Sequence, residues 1–85
     1  MKMADKQVGK VTHYYDKIGV AVVELIDTLK VGDKIKISKD DEEFEQEVQS
    51  MQMEHEAIDE AKKGQSIGLK VEEDVKARAS VYRLE

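Results

Sequence analysis

Residues 42–63 read Glu42-Glu43-Phe44-Glu45-Gln46-Glu47-Val48-Gln49-Ser50-Met51-Gln52-Met53-Glu54-His55-Glu56-Ala57-Ile58-Asp59-Glu60-Ala61-Lys62-Lys63. The class of the whole molecule turns on whether this stretch coils or extends. Phe44, Val48, Met51, His55 and Ile58 recur at helical spacing and form one stripe. Glu, Gln, Met, Ala and Lys all favour helix. On local grounds an amphipathic helix is the stronger reading. The alternative is a strand over residues 44–54. Phe44 and Val48 then share one phase and Met51 and Met53 the other, so the strand needs a bulge near Ser50.

On either side the text is strand-like. Upstream, Gly32-Asp33 supplies a turn, because Gly tolerates positive φ and Asp bonds nearby amides. Lys34-Ile35-Lys36-Ile37 then alternates strictly, with the isoleucines inward and the lysines outward. Residues 39–42 form a charged turn. Further upstream, Val8, Val11, Tyr14 and Tyr15 mark a strand from Lys6, with Gly9 as a bulge. Residues 18–26 form a second strand, apolar on both faces, as expected of a covered strand. Downstream, Ile67, Leu69 and Val71 alternate as another strand, and residues 77–84 form the last, with Ala79, Val81 and Arg83 on one side.

Composition bounds the rest. The chain has 85 residues, a net charge of −5, and no Cys, Pro or Trp. That length allows one domain. Without cysteine there is no disulfide framework, zinc ribbon or thiol nucleophile. The longest apolar run, residues 18–23, is far short of the roughly 20 residues a membrane helix needs. Residues 1–5 read as a frayed leader with no apolar stretch of signal-peptide length. The expected location is therefore the cytoplasm. Charge is unevenly spread: residues 40–60 hold ten acids and no Lys or Arg, while residues 1–39 are net +3 and 61–85 net +2. A protein held by phosphates needs a continuous basic surface, and here only a local basic patch is available.

Three stretches together resemble the second domain of the translation GTPases, the β-barrel that follows the G domain in elongation factor Tu. They are Val31-Gly32-Asp33-Lys34-Ile35-Lys36-Ile37, then Val48-Gln49-Ser50-Met51-Gln52-Met53, then Ala61-Lys62-Lys63-Gly64-Gln65-Ser66-Ile67-Gly68-Leu69. Order and spacing agree over residues 8–84. Val8-Gly9-Lys10-Val11…Tyr14, Ala21-Val22-Val23-Glu24 and Val31-Gly32-Asp33 also resemble the C-terminal accessory barrel of the collagenase-like peptidases, which shares that topology. Either resemblance implies an all-β fold over residues 6–85: a six-stranded closed Greek-key-type β-barrel. Residues 44–54 become a strand bulged at Ser50, and residues 56–62 a loop. The expected inward residues are Val11, Val20, Val22, Leu25, Ile35, Ile37, Val48, Met51, Ile67, Leu69 and Val81.

No Gly-x-x-x-x-Gly-Lys-Ser/Thr loop is present, so no nucleotide is expected. His13 and His55 lack ligand-like spacing, and Asp40-Asp41-Glu42-Glu43 lacks the spaced ligands and central Gly of a calcium loop. No catalytic, cofactor-binding or metal-ligating residue is assigned. In elongation factor Tu the second domain helps hold the aminoacylated end of tRNA. The matching surface here is Gln52, Met53, Glu54, His55 and Glu56, acidic where that factor is basic. The expected function is a non-catalytic, stand-alone translation-factor-like module. It would bind a protein or ribonucleoprotein through residues 52–56, either ribosome-associated or a detached catalytic subunit. The alternative is weak RNA or tRNA binding through Lys34 and Lys36.

Overall fold

The stretch over residues 42–63 contains no helix. In a computed structural model, which describes residues 5–84, every regular element is a strand. In chain order these are β1 (Asp5–Tyr15), β2 (Val20–Leu25), β3 (Leu29–Lys30), β4 (Lys34–Lys39), β5 (Glu42–Glu47), β6 (Met51–Met53), β7 (Glu56–Ile58), β8 (Glu60–Ala61), β9 (Ser66–Lys70) and β10 (Ser80–Leu84). Of the expected leader, residues 1–4 lie outside the described residues, and β1 begins at Asp5.

Eight strands form one sheet in the order β5-β4-β10-β1-β2-β9-β6-β7, and β3 pairs with β8. This differs from six strands closed into a barrel. Among the described residues no ladder joins β5 to β7. β5 is joined instead to the end of β9 by one of its own side chains. The buried Gln46 side chain donates through Nε2 to the Lys70 carbonyl at 2.9 Å and accepts at Oε1 from the Glu72 amide at 2.8 Å. One side-chain amide thus does, for two backbone groups, what a neighbouring strand would do.

The helical stripe fails for a specific reason. Val48 and Met51 do reach the core, and Phe44 and Ile58 pack against it, but from three short strands, β5, β6 and β7, and the break between the first two. The expected bulge at Ser50 is a break. Residues 48–50 separate β5, which pairs with β4, from β6, which pairs with β9 and β7. Residues 56–62, expected as a loop, contain β7 and β8. The bulge expected at Gly9 is present one residue earlier: Gln7 pairs with Tyr82 and Gly9 with Val81, leaving Val8 extra. Gly9 itself lies against β2. A Cβ there would come within 2.7 Å of Val23 Cγ1 and 2.9 Å of the Glu24 carbonyl oxygen.

The core holds Val8, Val11, Leu25, Leu29, Ile35, Ile37, Ile67, Leu69 and Val81 with smaller neighbours. Val20 and Val22, expected inward, instead line the outer face. Directly opposite residues share a face, and β2 pairs Ala21 with Leu69 and Val23 with Ile67. Those buried pairs fix the phase. Because β2 is apolar on both faces, alternation alone carried no phase information.

Candidate functional site

The outward face of β2 begins a groove of about 500 Å³. Tyr15 and Ile18 form one wall, and Val20 and Val22 continue it. Gln52 and Met53 on β6 form the opposite side. Gly68 on β9 lies between: it pairs with Val22 on one neighbour and Gln52 on the other. A Cβ at Gly68 would meet Gln52 Cγ and Val20 Cγ1, each at 3.1 Å, so a larger residue would raise the floor.

Ile18 is 58% exposed and Tyr15 50%. Two large apolar side chains this open, side by side on one groove, suit contact with another surface. The Tyr15 ring meets His13 edge-on, with centroids 4.3 Å apart, which holds it in place at the rim.

Glu54 and His55 join β6 to β7 in a two-residue turn, with Met53 paired to Glu56 across it. Both turn residues have positive φ, 54° and 69°. Hairpins of this type normally place Asn-Gly or Gly-Gly there, so two residues with full side chains are held in strained backbone at the groove's end. Of the five residues expected to bind a partner, Gln52, Met53, Glu54 and His55 line the groove. Glu56 stands on β7, exposed and away from the lining. Sequence reasoning missed the other wall, Tyr15, Ile18, Val20 and Val22. The signal was present in residues 18–23, which are apolar in both phases.

Lys34 and Lys36 lie along β4, opposite Glu47 and Glu45 on β5. Lys36 Nζ also sits 5.5 Å from the centre of the Tyr82 ring, a cation–π contact. The basic strip is therefore interleaved with carboxylates. In the turn after β2, Asp27 gathers two cations. Its Oδ2 lies 2.6 Å from Lys6 Nζ and 3.9 Å from Arg83 Nη2, and Oδ1 accepts from the Thr28 amide at 2.8 Å. Arg83 Nη1 also donates to the Thr28 carbonyl at 2.7 Å. The Lys6 hydrogen bond and the Thr28 amide, joined by the two positive charges, hold the Asp27 carboxyl below the usual aspartate range against the opposing effect of burial.

Among the described residues no three His, Asp or Glu side chains are gathered as metal ligands, and no helix is long and apolar enough to cross a membrane.

This fold has close counterparts. Two crystal structures of the C-terminal domain of a Geobacillus thermoleovorans protein described as a U32 peptidase superpose on it. One, a selenomethionine variant, has a TM-score of 0.84 at 22% identity and covers 89% of this chain and 96% of that one. The other has a TM-score of 0.85 at 23% identity and covers 94% and 92%. In sequence, the chain is 39% identical over 79 residues to an uncharacterized protease of Methanocaldococcus jannaschii. The match takes in 92% of this chain but 19% of the relative, so the chain spans about a fifth of the length of the curated relative it matches. No family model matches.

These comparisons carry the second resemblance, to a peptidase C-terminal domain. They lend none to the elongation-factor domain. The motif behind both shows why the sequence did not separate them. Gly32 supplies a φ of 98°, and Asp33 accepts the Lys30 amide through Oδ2 at 2.9 Å. Val31-Gly32-Asp33 is thus turn chemistry, which two barrels of one topology share whatever they bind.

Proposed function

We propose that this chain is a non-catalytic accessory domain of the kind found at the C-terminus of U32 peptidases. It docks on a catalytic peptidase domain through the Tyr15–Ile18–Met53 groove. One observation carries the reading: Tyr15, Ile18, Val20 and Val22 give the groove an apolar wall on which Tyr15 and Ile18 stand open to solvent. The length comparison supports it, since in the Methanocaldococcus jannaschii relative the matched stretch belongs to a chain about five times as long. The closed-barrel form belongs to the same reading, with Gln46 serving in place of the missing ladder.

The test mixes this chain with the Methanocaldococcus jannaschii relative from which the matching 79 residues have been deleted. Light scattering after size exclusion should show a complex. Ile18→Asp, at a position open to solvent, should leave the fold unchanged by NMR and weaken the complex at least about tenfold, as loss of a buried apolar anchor does. No complex with a folded deletion protein, or a complex indifferent to Ile18→Asp, overturns the docking site. Binding only to added RNA, through Lys34 and Lys36, would favour the nucleic-acid reading instead.

A further inference from the structure

A second surface is built on different principles and lies outside the docking groove. Strand β5 ends the sheet order. On one side β4 pairs with it at six positions, from Lys34–Glu47 to Lys39–Glu42. On the other side, among the described residues, no strand pairs with it. Gln46 occupies the far end of that edge through Lys70 and Glu72. Over residues 42–45 the backbone groups that point away from β4 are left unpaired, a template for another strand. The opposite end of the sheet offers less, because β7 is only three residues long.

Beside this edge lies a cavity of about 410 Å³, bounded by the β4–β5 hairpin and residues 73–79. Ile37, Phe44, Val75 and Ala79 supply its apolar surface. Asp41, Glu42, Glu43, Glu73 and Asp74 supply five carboxyls, against two lysines. Both lysines are already engaged: Lys76 Nζ is 3.7 Å from Glu42 Oε1, and Lys39 Nζ is 3.7 Å from Asp40 Oδ2. Asp74 accepts from the Tyr14 hydroxyl at 2.9 Å. Among the described residues, Asp41, Glu43 and Glu73 make no ion pair.

We propose that β5 is a strand-addition site for an extended segment of a partner protein carrying Lys or Arg at alternate positions, with apolar residues between. Edge geometry and charge each select part of that occupant. Unpaired backbone asks for an extended chain, which main-chain hydrogen bonds then hold. Alternation along β5 sets Phe44 on one face and Glu43 and Glu45 on the other. An added strand therefore meets an apolar position between two acidic ones. Charge complementarity speeds the encounter and rejects acidic partners. A second copy of this chain is a poor occupant, because edge-to-edge pairing would set Glu43 and Glu45 against their own equivalents.

The probe is a capped hexapeptide of alternating Lys and Val, titrated into the ¹⁵N-labelled chain and followed by NMR and amide exchange. Residues 42–45 should shift, and those of their amides that point away from β4 should gain protection, with affinity falling as salt rises. The same peptide N-methylated at alternate residues keeps its charge but loses its donors, and should bind at least about tenfold more weakly. Asp41→Lys with Glu43→Lys, both at exposed positions, should weaken binding similarly. Equal binding of the N-methylated peptide reduces the contact to charge attraction and overturns the proposal. So do shifts that map to Tyr15 and Ile18. Failure here leaves the docking groove untouched, and failure of the groove leaves this edge untouched.

Discussion

Asp27 is where a single side chain has most to hold. It closes the turn after β2 by taking the Thr28 amide, and it ties that turn to β1 and β10 through Lys6 and Arg83. Its carboxyl is held below the ordinary aspartate value, chiefly by the Lys6 hydrogen bond and then the Thr28 amide. A group with a lowered folded value binds protons more readily when unfolded. Its contribution to stability is therefore complete above the unfolded value, about pH 4, and is lost as pH falls through the folded one. Asp27→Asn should lower the urea midpoint at pH 7 and flatten the decline in stability below about pH 4. At the lowest pH the two proteins should converge. A variant whose acid limb parallels the original would show that other carboxyls govern it.

At the scale of elements, the join between β5 and the end of β9 rests on Gln46 rather than on a ladder. Gln46→Met keeps the bulk but leaves the Lys70 carbonyl and the Glu72 amide without partners. An unsatisfied buried group costs about 1–3 kcal/mol, and these two, only partly buried, fall at the low end, so a loss of about 2 kcal/mol is expected from urea unfolding. A change under about 0.5 kcal/mol would show that water replaces the amide.

Gln46 also marks a limit of sequence reading. It falls on a core position of a strand whose neighbours are four glutamates, and nothing in local pattern separates it from a solvent-facing glutamine. What selects it is two backbone groups more than twenty residues away. The β4 isoleucines, by contrast, were readable at once, because Lys34-Ile35-Lys36-Ile37 alternates against solvent on one face only. β2 was readable as a strand but not in phase, since both of its faces are apolar. That ambiguity has a structural cause: Val20 and Val22 wall the groove. Residues 52–55 were located through a resemblance whose stated function the comparisons did not carry. The hairpin they belong to was not read, because residues 56–62 passed for a loop and the positive φ at Glu54 and His55 is held without the Asn or Gly that would have announced the turn.

At the scale of the molecule, the two surfaces divide by chemistry. One is an apolar groove on the outer face of β2, β6 and β9. The other is an acidic edge beyond β4. A domain so arranged can contact two bodies at once. The ten acids over residues 40–60 contribute to both surfaces, with β5 and its turn at the edge and Glu54 at the groove.

The pairing of the first strand with the last has one more consequence. β1 and β10 lie side by side, with Asp5 opposite Leu84 and Lys6 opposite Arg83. The two ends of the described chain therefore leave the sheet together. A domain built this way can be spliced into a surface loop of a host protein without prising that loop apart, as well as appended to an end. A circular permutant that joins the ends by a short Gly-Ser linker and reopens the chain at Lys62-Lys63, both exposed, should fold to the same sheet. Matching amide shifts outside the new junction would check it, and an unfolded permutant would show that the order in which the strands are made also matters.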